Sequence, residues 1–270
     1  MRTLITSLGT NKYSDTIYSW PGVGEYETSH VAAALGRLWK ADRIVVLATQ
    51  VAEKENGADL KNSLSAADCP IPLFERLPEG RTEDELWAQF HVIRDAVEKS
   101  ISGDVLLDIT HGFRAQSFFT GAVINVLRAA GVNPDRIELV YGEFRKDDPP
   151  SPIWDLALFV ELIDWAQALS LFLKTGFADP LVELGHLSQR KQSKKMLARG
   201  DDGAFPGFGR LVKAIERFAD DLATMRLASL ISGYEQNDAR KDKARGSATD
   251  LLVTIEQCRT EVVAKLPPLA

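Results

Sequence analysis

The first half of the chain alternates short runs of branched apolar residues with segments of helical periodicity, and this alternation limits the fold more than any other feature. Five runs have the composition of strands: 3–8, 43–49, 70–74, 105–110 and 136–142. They are mostly apolar on both faces, which is typical of strands buried between two layers of helices in a mainly parallel sheet. The pattern therefore predicts an α/β fold with a Rossmann-like open sheet. Pro70 and Pro72 suit only an edge strand.

Two helices of this region have recognisable ends. Thr82 and Glu85 have the spacing of a capping box and predict a helix start. Gly131 predicts the end of the helix that begins near residue 113.

From about residue 152 the pattern becomes helical throughout. Three helices are predicted over 152–176, 209–236 and 247–266, with a polar, Gly-rich loop at 199–209. Residues 145–152 have the acidic, proline-rich composition of a linker. The chain is therefore expected to contain an α/β domain over 1–148 and an all-α region over 149–270.

Composition excludes several classes of protein. The net charge of −6 argues against binding long nucleic acid through the overall electrostatic field. Cys69 and Cys258 are far apart and lack a CxxC motif, so the sequence predicts no disulfide framework and a reducing cytoplasm. No uninterrupted apolar stretch approaches the roughly 18 residues of a membrane helix. The histidines are scattered, and no metal site is expected.

Polar residues follow three of the predicted strands, at the sheet edge where ligands of open parallel sheets bind. These candidate ligand-binding residues are Gly9, Thr10, Asn11, Lys12 and Tyr13 after the first run, Thr49 and Gln50 after the second, and Asp108, Thr110, His111, Gly112, Phe113 and Arg114 after the fourth. Free N–H groups at the helix start after Gly112 predict an anion site there.

Structural roles compete with ligand binding at each position. Asp108 can cap the following helix, Thr110 can satisfy strand-end amides, and Gly112 can serve a tight turn. A single histidine such as His111 is more often a hydrogen-bonded structural residue than a ligand contact or a base. The combination of carboxylate, hydroxyl, imidazole and guanidinium within seven positions favours a ligand site. The dinucleotide fingerprint GxGxxG, a Walker loop, GxSxG and HExxH are absent from the sequence.

Residues 108–114, DITHGFR, resemble the signature of the CRISPR-associated DxTHG-motif proteins, which are ancillary to type III CRISPR systems. The N-terminal domain of that family is the CARF fold, a Rossmann-like sensor of cyclic oligoadenylate. The resemblance extends to SLGTNKY (7–13), TEDELWAQF (82–90), VYGEF (140–144), PIWDLALFVELIDWA (152–166) and LVKAIERFADDLATMRLASLI (211–231).

The resemblance implies a homodimer whose paired sensor domains, here residues 1–148, bind one cyclic oligoadenylate ring across the two-fold axis, most often the tetramer. Residues 149–270 would be a helical connector and a partial or degenerate HEPN-like effector region. The ring is then an activating ligand, with no other cofactor, and single-stranded RNA is a candidate partner of the helical region. An antiviral output in the cytoplasm follows.

The sequence departs from the family in the helical region. HEPN ribonucleases carry Arg, four to six residues, then His, and none of the four histidines has such an arginine. Catalytic residues are therefore not carried over. Two explanations stay open: the chain lacks the catalytic part of a longer protein, or its helical half is a degenerate output. The former is preferred.

The ligand's chemistry assigns expected roles. Lys12, Arg114 and backbone amides suit phosphates, whereas Asn11, Tyr13 and Tyr18 suit adenines. Some sensors of this fold also cleave their ring without a metal, by attack of a ribose 2′-hydroxyl on the adjacent phosphate. Thr10, Lys12, Thr49 and His111 are the candidates for that reaction. Whether the protein is an enzyme stays open.

Overall fold

The computed structural model describes residues 1–112, 114–132, 136–145, 148–199, 206–224, 230 and 246–265, and among these the side chains of 114, 157–158, 191–199, 206–208 and 261–265 are not described. The strands are β1 (Arg2–Leu8), β2 (Thr16–Trp20), β3 (Gly24–Thr28), β4 (Arg43–Ala48), β5 (Leu73–Arg76), β6 (Asp104–Asp108), β7 (Ile137–Gly142) and β8 (Ser151–Asp155). The helices are α1 (Val31–Trp39), α2 (Gln50–Ala66), α3 (Glu83–Glu98), α4 (Arg114–Ala129), α5 (Ala157–Thr175), α6 (Asp179–Arg199), α7 (Pro206–Ala223) and α8 (Ser247–Lys265). By its contacts the chain divides into two compact units, Met1–Val160 and Glu161–Ala270.

The first unit is built on a mainly parallel sheet with the strand order β3-β2-β8-β7-β6-β1-β4-β5. The five strands from β7 to β5 are all parallel, whereas β8 is antiparallel to β7 and β3 is antiparallel to β2. The predicted α/β fold with a Rossmann-like sheet is confirmed. β5 lies at an edge of the sheet, as the two prolines before it predict.

Each face of the sheet has its own apolar core, because successive strand residues point to opposite faces. Leu4 of β1 and Leu106 of β6 belong to the core that includes α1 and α2. Ile5 and Leu107, one position later on the same strands, belong to the core that includes α3 and α4. The fully buried strands thus separate two helix layers, which explains their apolar composition on both faces.

The predicted helix ends are found where the sequence signals them. Thr82 caps α3, with its Oγ1 accepting a hydrogen bond from the Glu85 amide at 3.2 Å. Gly131 has a φ of 89° just after α4, and Gly176 has a φ of 73° just after α5. Both glycines adopt the left-handed conformation that favours glycine at the end of a helix.

Three strands were not predicted. β2 and β3 form a hairpin between β1 and α1, where the sequence predicts no strand. β8 occupies residues predicted as the first turn of a helix over 152–176, so that prediction is wrong before Ala157. Tyr18 lies in β2 with 1% of its surface exposed, and its suggested contact with adenine is therefore wrong: the ring is part of the core.

The second unit consists of helices that pack through small and aromatic residues. Phe172 of α5 and Phe218 of α7 have ring centroids 6.1 Å apart. A Cβ added at Gly185 of α6 would lie 2.5 Å from the Val212 side chain, so this glycine permits close approach of α6 and α7. No helix in the described part of the chain has the length and hydropathy that crossing a membrane requires.

The helix predictions for this unit are partly confirmed. The predicted helix over 247–266 corresponds to α8, and the start of the one over 209–236 corresponds to α7. Residues 225–229 and 231–236 of that prediction, and residues 200–205 of the predicted loop, lie outside the described residues. The remainder of the loop prediction is wrong, because Pro206 begins α7 with the ring suited to a first helical position. α6 was not predicted.

Candidate functional site

The sheet reverses its direction of growth at β1. After the β2–β3 hairpin at the far end of the sheet, the chain adds β4 and β5 on one side of β1 and then crosses to the other side of β1 to form β6. Such a switch point leaves a crevice at the carboxyl ends of the two adjacent strands, where ligands of open α/β sheets bind. Two segments lie at this edge of the sheet: residues 9–13 after β1, called here the β1 loop, and residues 108–112 after Leu107, called here the β6 turn.

The carboxylate of Asp108 is bound within the protein. It lies beside Thr6 of β1 in the sheet, and Thr6 Oγ1 donates to its Oδ2 at 2.6 Å. The Thr110 amide donates to Oδ1 at 2.9 Å, and the Thr110 hydroxyl donates to the same oxygen. Thr110 Oγ1 in turn accepts from the Gly142 amide at 2.8 Å. With 4% of its surface exposed, Asp108 joins β1, β6 and β7 rather than facing solvent.

The β1 loop is closed by hydrogen bonds to both backbone polar groups of Gly9. The Gly9 amide donates to the Tyr13 hydroxyl at 2.8 Å, and that hydroxyl is 3.4 Å from the Gly9 carbonyl oxygen. Asn56 of α2 donates from Nδ2 to the carbonyls of Gly9 at 2.8 Å and Asn11 at 3.0 Å. The loop is therefore attached to α2 and folded back on itself.

The Tyr13 ring lies between two imidazoles. Its centroid is 4.5 Å from that of His30 and 4.7 Å from that of His111, the latter in an edge-on arrangement. A Cβ at Gly9 would lie 3.4 Å from the His111 carbonyl oxygen, so the β1 loop and the β6 turn touch directly. The histidines are scattered along the sequence, and the fold brings two of them to one site.

Burial dominates the ionisation of this cluster. Removal from water lowers the pKa of His30 to about 4, and the nearby His111 adds to this effect. The pKa of His111 is also lowered, by burial above all, although the Asp108 carboxylate opposes the shift. Burial likewise raises the pKa of the Tyr13 phenol. Both imidazoles are consequently neutral at pH 7.

The remaining candidates divide by exposure. Thr10, Asn11, Lys12 and Gln50 are exposed. Thr49 has 1% of its surface exposed and caps α2, with its Oγ1 accepting from the Ala52 amide at 3.3 Å. Gly112 is half-buried, and a Cβ there would lie 3.0 Å from Gln116 Oε1.

Two candidates lie outside what the structure describes. Phe113 is outside the described residues, and the side chain of Arg114 is outside them as well. The predicted anion site at the start of α4 therefore stays a prediction.

Sequence reasoning missed three residues of the site: Asn56, His30 and Ser63. Asn56 and Ser63 are in the interior of α2, and His30 is the residue before α1. Their neighbours in sequence carry no motif, and an interior helical Asn is a weak signal at most. In the described part of the chain, no group of three or more His, Cys, Asp or Glu side chains is arranged to hold a metal ion.

The fold is similar to that of a solved structure, "Enterococcus italicus Csm6 bound to cyclic hexa-2'-fluoro-hexa-dAMP", with a TM-score of 0.51 and 13% sequence identity. The match covers 97% of this chain and 62% of that chain, so the protein spans less than two thirds of the Csm6 chain. No family model matches the sequence, and neither does any curated protein. The likeness at this identity concerns the fold, and the chain shares with that Csm6 an α/β architecture on a mainly parallel sheet.

Proposed function

We propose that this protein is a sensor that binds cyclic oligoadenylate between the β1 loop and the β6 turn and thereby regulates an antiviral effector in the cytoplasm. The observation that carries the proposal is the meeting of these two segments at the switch point, with Thr10, Asn11 and Lys12 exposed beside them. The DITHGFR motif supports it independently. So does the fold likeness to a Csm6 whose structure contains a cyclic hexa-nucleotide analogue.

The exposed residues have the chemistry that such a ring needs. Each nucleotide contributes one phosphate charge, which the Lys12 ammonium can bind and which the N-terminus of α4 favours. The Asn11 amide can donate to and accept from an adenine edge. The ring of Tyr13 is engaged with His30 and His111, so we assign it to shaping the β1 loop instead of stacking on a base.

We propose further that two copies of the chain share one ring. A two-fold axis through a ring requires an even number of nucleotides, and each protomer of a pair then meets half of the phosphates. The first candidate is cyclic tetra-adenylate, as the sequence resemblance implies. The ring of six nucleotides is the second candidate, since the similar Csm6 structure contains a six-nucleotide analogue.

A surface suited to pairing lies on α3 and α4. Four rings follow one another across the two helices, Trp87, Phe90, Phe119 and Phe118, at centroid distances of 5.9, 6.5 and 6.4 Å. Trp87 is 57% exposed and Phe118 is 76% exposed. Aromatic side chains of this kind are enriched in protein interfaces. Phe118→Glu is expected to yield a monomer by analytical ultracentrifugation, and an unchanged mass would exclude this surface.

Calorimetry with rings of different size tests the binding proposal. Heat is expected on titrating cyclic tetra-adenylate, with a stoichiometry of one ring per two chains. Linear tetra-adenylate is the matched control, because it has the same bases without the closed ring. Absence of heat at micromolar protein with both the tetramer and the hexamer would overturn the proposal.

The output of the sensor is proposed to be regulation through the helical unit, either of an HEPN-type ribonuclease acting on single-stranded RNA or of another effector. Ring cleavage is the alternative activity. Of its candidates, Thr10 and Lys12 are exposed, whereas Thr49 and the Nε2 atom of His111 are buried. Incubation of radiolabelled cyclic tetra-adenylate with the protein in EDTA distinguishes the two: an intact ring after hours identifies a sensor without ring cleavage.

A further inference from the structure

His30 is held rigidly behind the β1 loop. It has 3% of its surface exposed, and its side chain does not cap α1, although the residue is at the cap position. Its Nδ1 atom lies 2.9 Å from the Ser63 hydroxyl of α2 and 3.0 Å from the Ser29 hydroxyl. Two hydroxyls thus hold the imidazole at one edge, the Nδ1 atom, and the ring also contacts Tyr13.

The contact with Tyr13 connects His30 to the loop. The Tyr13 ring contacts both His30 and His111, and its hydroxyl bonds both polar groups of Gly9. A displaced Tyr13 ring would therefore release the Gly9 amide and separate the loop from the β6 turn. We propose that His30 is a positioning residue that keeps the β1 loop in its binding shape by holding Tyr13 against His111, and that protonation of His30 releases the loop. The consequence for ligand rests on the proposed function, whereas the consequence for the loop does not.

The surroundings of His30 oppose a second proton. Its Nε2 atom is buried, and so is Nε2 of His111, and neither has a hydrogen-bond partner among the described residues. The doubly protonated imidazole carries an N–H on both nitrogens, so its Nε2–H is a buried charged donor without an acceptor, which costs free energy relative to either tautomer of the neutral ring.

Several ionisable groups lie near His30 and His111 and act on their pKa values. His30 faces His111, Tyr13 and the carboxylates of Asp59 and Asp15, and His111 faces Asp108. The carboxylates favour the proton, but burial outweighs them, and the pKa of His30 falls to about 4. In an opened loop the imidazole has its ordinary pKa near 6.5, so acid favours opening.

Amide hydrogen exchange of the full chain tests the proposal without any ligand. At pH 7.5, peptides covering residues 9–13 are expected to lose at least tenfold in protection in His30→Ala. His30→Phe keeps a ring against Tyr13 and cannot be protonated, so its protection is expected to stay within about threefold of the wild type. Equal protection in His30→Ala and the wild type would overturn the proposal.

The pH profile separates positioning from simple packing. After correction for intrinsic exchange, wild-type protection of residues 9–13 is expected to fall at least tenfold from pH 6.5 to pH 4.5. In His30→Phe this fall is expected to be at least threefold smaller, with His111 as the remaining titrating imidazole. A fall of the same size in both proteins would contradict the release of the loop by His30.

Two controls keep the outcome interpretable. His91→Ala changes an exposed histidine of α3 and is expected to leave the loop's protection unchanged. Peptides from β4 report the global fold. If His30→Ala loses protection in β4 too, the pH profiles of the wild type and His30→Phe decide, because they need no truncated side chain: a smaller fall in His30→Phe supports the proposal, and an equal fall overturns it.

Titration with cyclic tetra-adenylate then connects the loop to binding. His30→Ala is expected to raise Kd at least tenfold, and His30→Phe much less. If the wild type binds neither the tetramer nor the hexamer, the proposed function fails while the exchange result stands. If the wild type binds and His30→Ala binds equally well, His30 has no positioning role for the ligand.

Discussion

The β1 loop and the β6 turn lie side by side at one edge of the sheet, yet they use their polar groups in opposite ways. In the β6 turn, Asp108 and Thr110 bond each other and the neighbouring strands. In the β1 loop, Thr10, Asn11 and Lys12 project into solvent, while Tyr13 alone turns inward.

Under the proposed function, this difference means that a conspicuous motif need not supply the ligand contacts itself. The signature-like residues Asp108 and Thr110 build a rigid frame whose hydrogen bonds are already satisfied, and such groups gain little by binding a ligand. The less conspicuous loop offers free donors. We therefore expect substitutions in the β6 turn to change stability first, and substitutions at the tip of the β1 loop to change binding first.

The largest expected effect is that of Asp108→Ala. It removes the acceptor of the Thr6 hydroxyl, the Thr110 amide and the Thr110 hydroxyl, so the free energy of unfolding is expected to fall by about 3 kcal/mol. Urea unfolding measures it. Asp104→Ala, at the exposed start of the same strand, is the matched control, with a change under about 0.5 kcal/mol. Equal losses of stability in Asp108→Ala and Asp104→Ala would contradict the role of Asp108 as a structural hydrogen-bond acceptor.

Acid is expected to lower the stability of the protein through the buried His30, which contacts the inward-facing Tyr13. Because burial depresses the pKa of His30 to about 4, the unfolded chain binds a proton near pH 6.5 that the folded chain does not. The contribution of His30 to the free energy of unfolding is present in full above about pH 6.5. It declines by about 3 kcal/mol as the pH falls to about 4. Urea midpoints of the wild type and His30→Phe over this range measure the difference, and parallel profiles would exclude it.

Asn56→Ala tests the attachment of the β1 loop to α2. It removes two hydrogen bonds to the Gly9 and Asn11 carbonyls, but Ala is the better residue inside a helix. The net loss of stability is therefore expected to be about 0.5 to 1 kcal/mol. Peptides covering 9–13 should exchange faster than in Asn62→Ala, a control on an exposed position of the same helix. Identical exchange would show that Tyr13 alone closes the loop.

Lys12→Ala is expected to have the smallest effect on stability and a clear effect on binding. Its side chain is exposed, so unfolding should change by less than about 0.5 kcal/mol. The Kd for cyclic tetra-adenylate should rise about tenfold, equivalent to about 1.4 kcal/mol, with a weaker salt dependence. Lys213→Ala, an exposed lysine of α7, is the control. Unchanged binding would remove Lys12 from the site.

Whether a strand could be predicted from the sequence depended on whether it is buried on both faces. β1, β4, β6 and β7 were predicted because strands buried on both faces are continuous apolar runs. The β2–β3 hairpin was missed because polar residues alternate with apolar ones along both strands, so that its sequence resembles that of a polar loop. β8 was missed because its residues run directly into the apolar pattern of α5.

The sequence by itself determined that the residues after β1 and after β6 lie at one edge of a sheet, because the carboxyl ends of parallel strands meet there. It could not determine which of their side chains face inward. That depended on partners far away in the chain, such as Thr6, which bonds Asp108 across 102 positions, and Ser63, which fixes His30 across 33. Only tertiary packing decides which polar groups are satisfied inside the protein, since burial makes an unpaired donor or charge costly, and which stay exposed for a ligand.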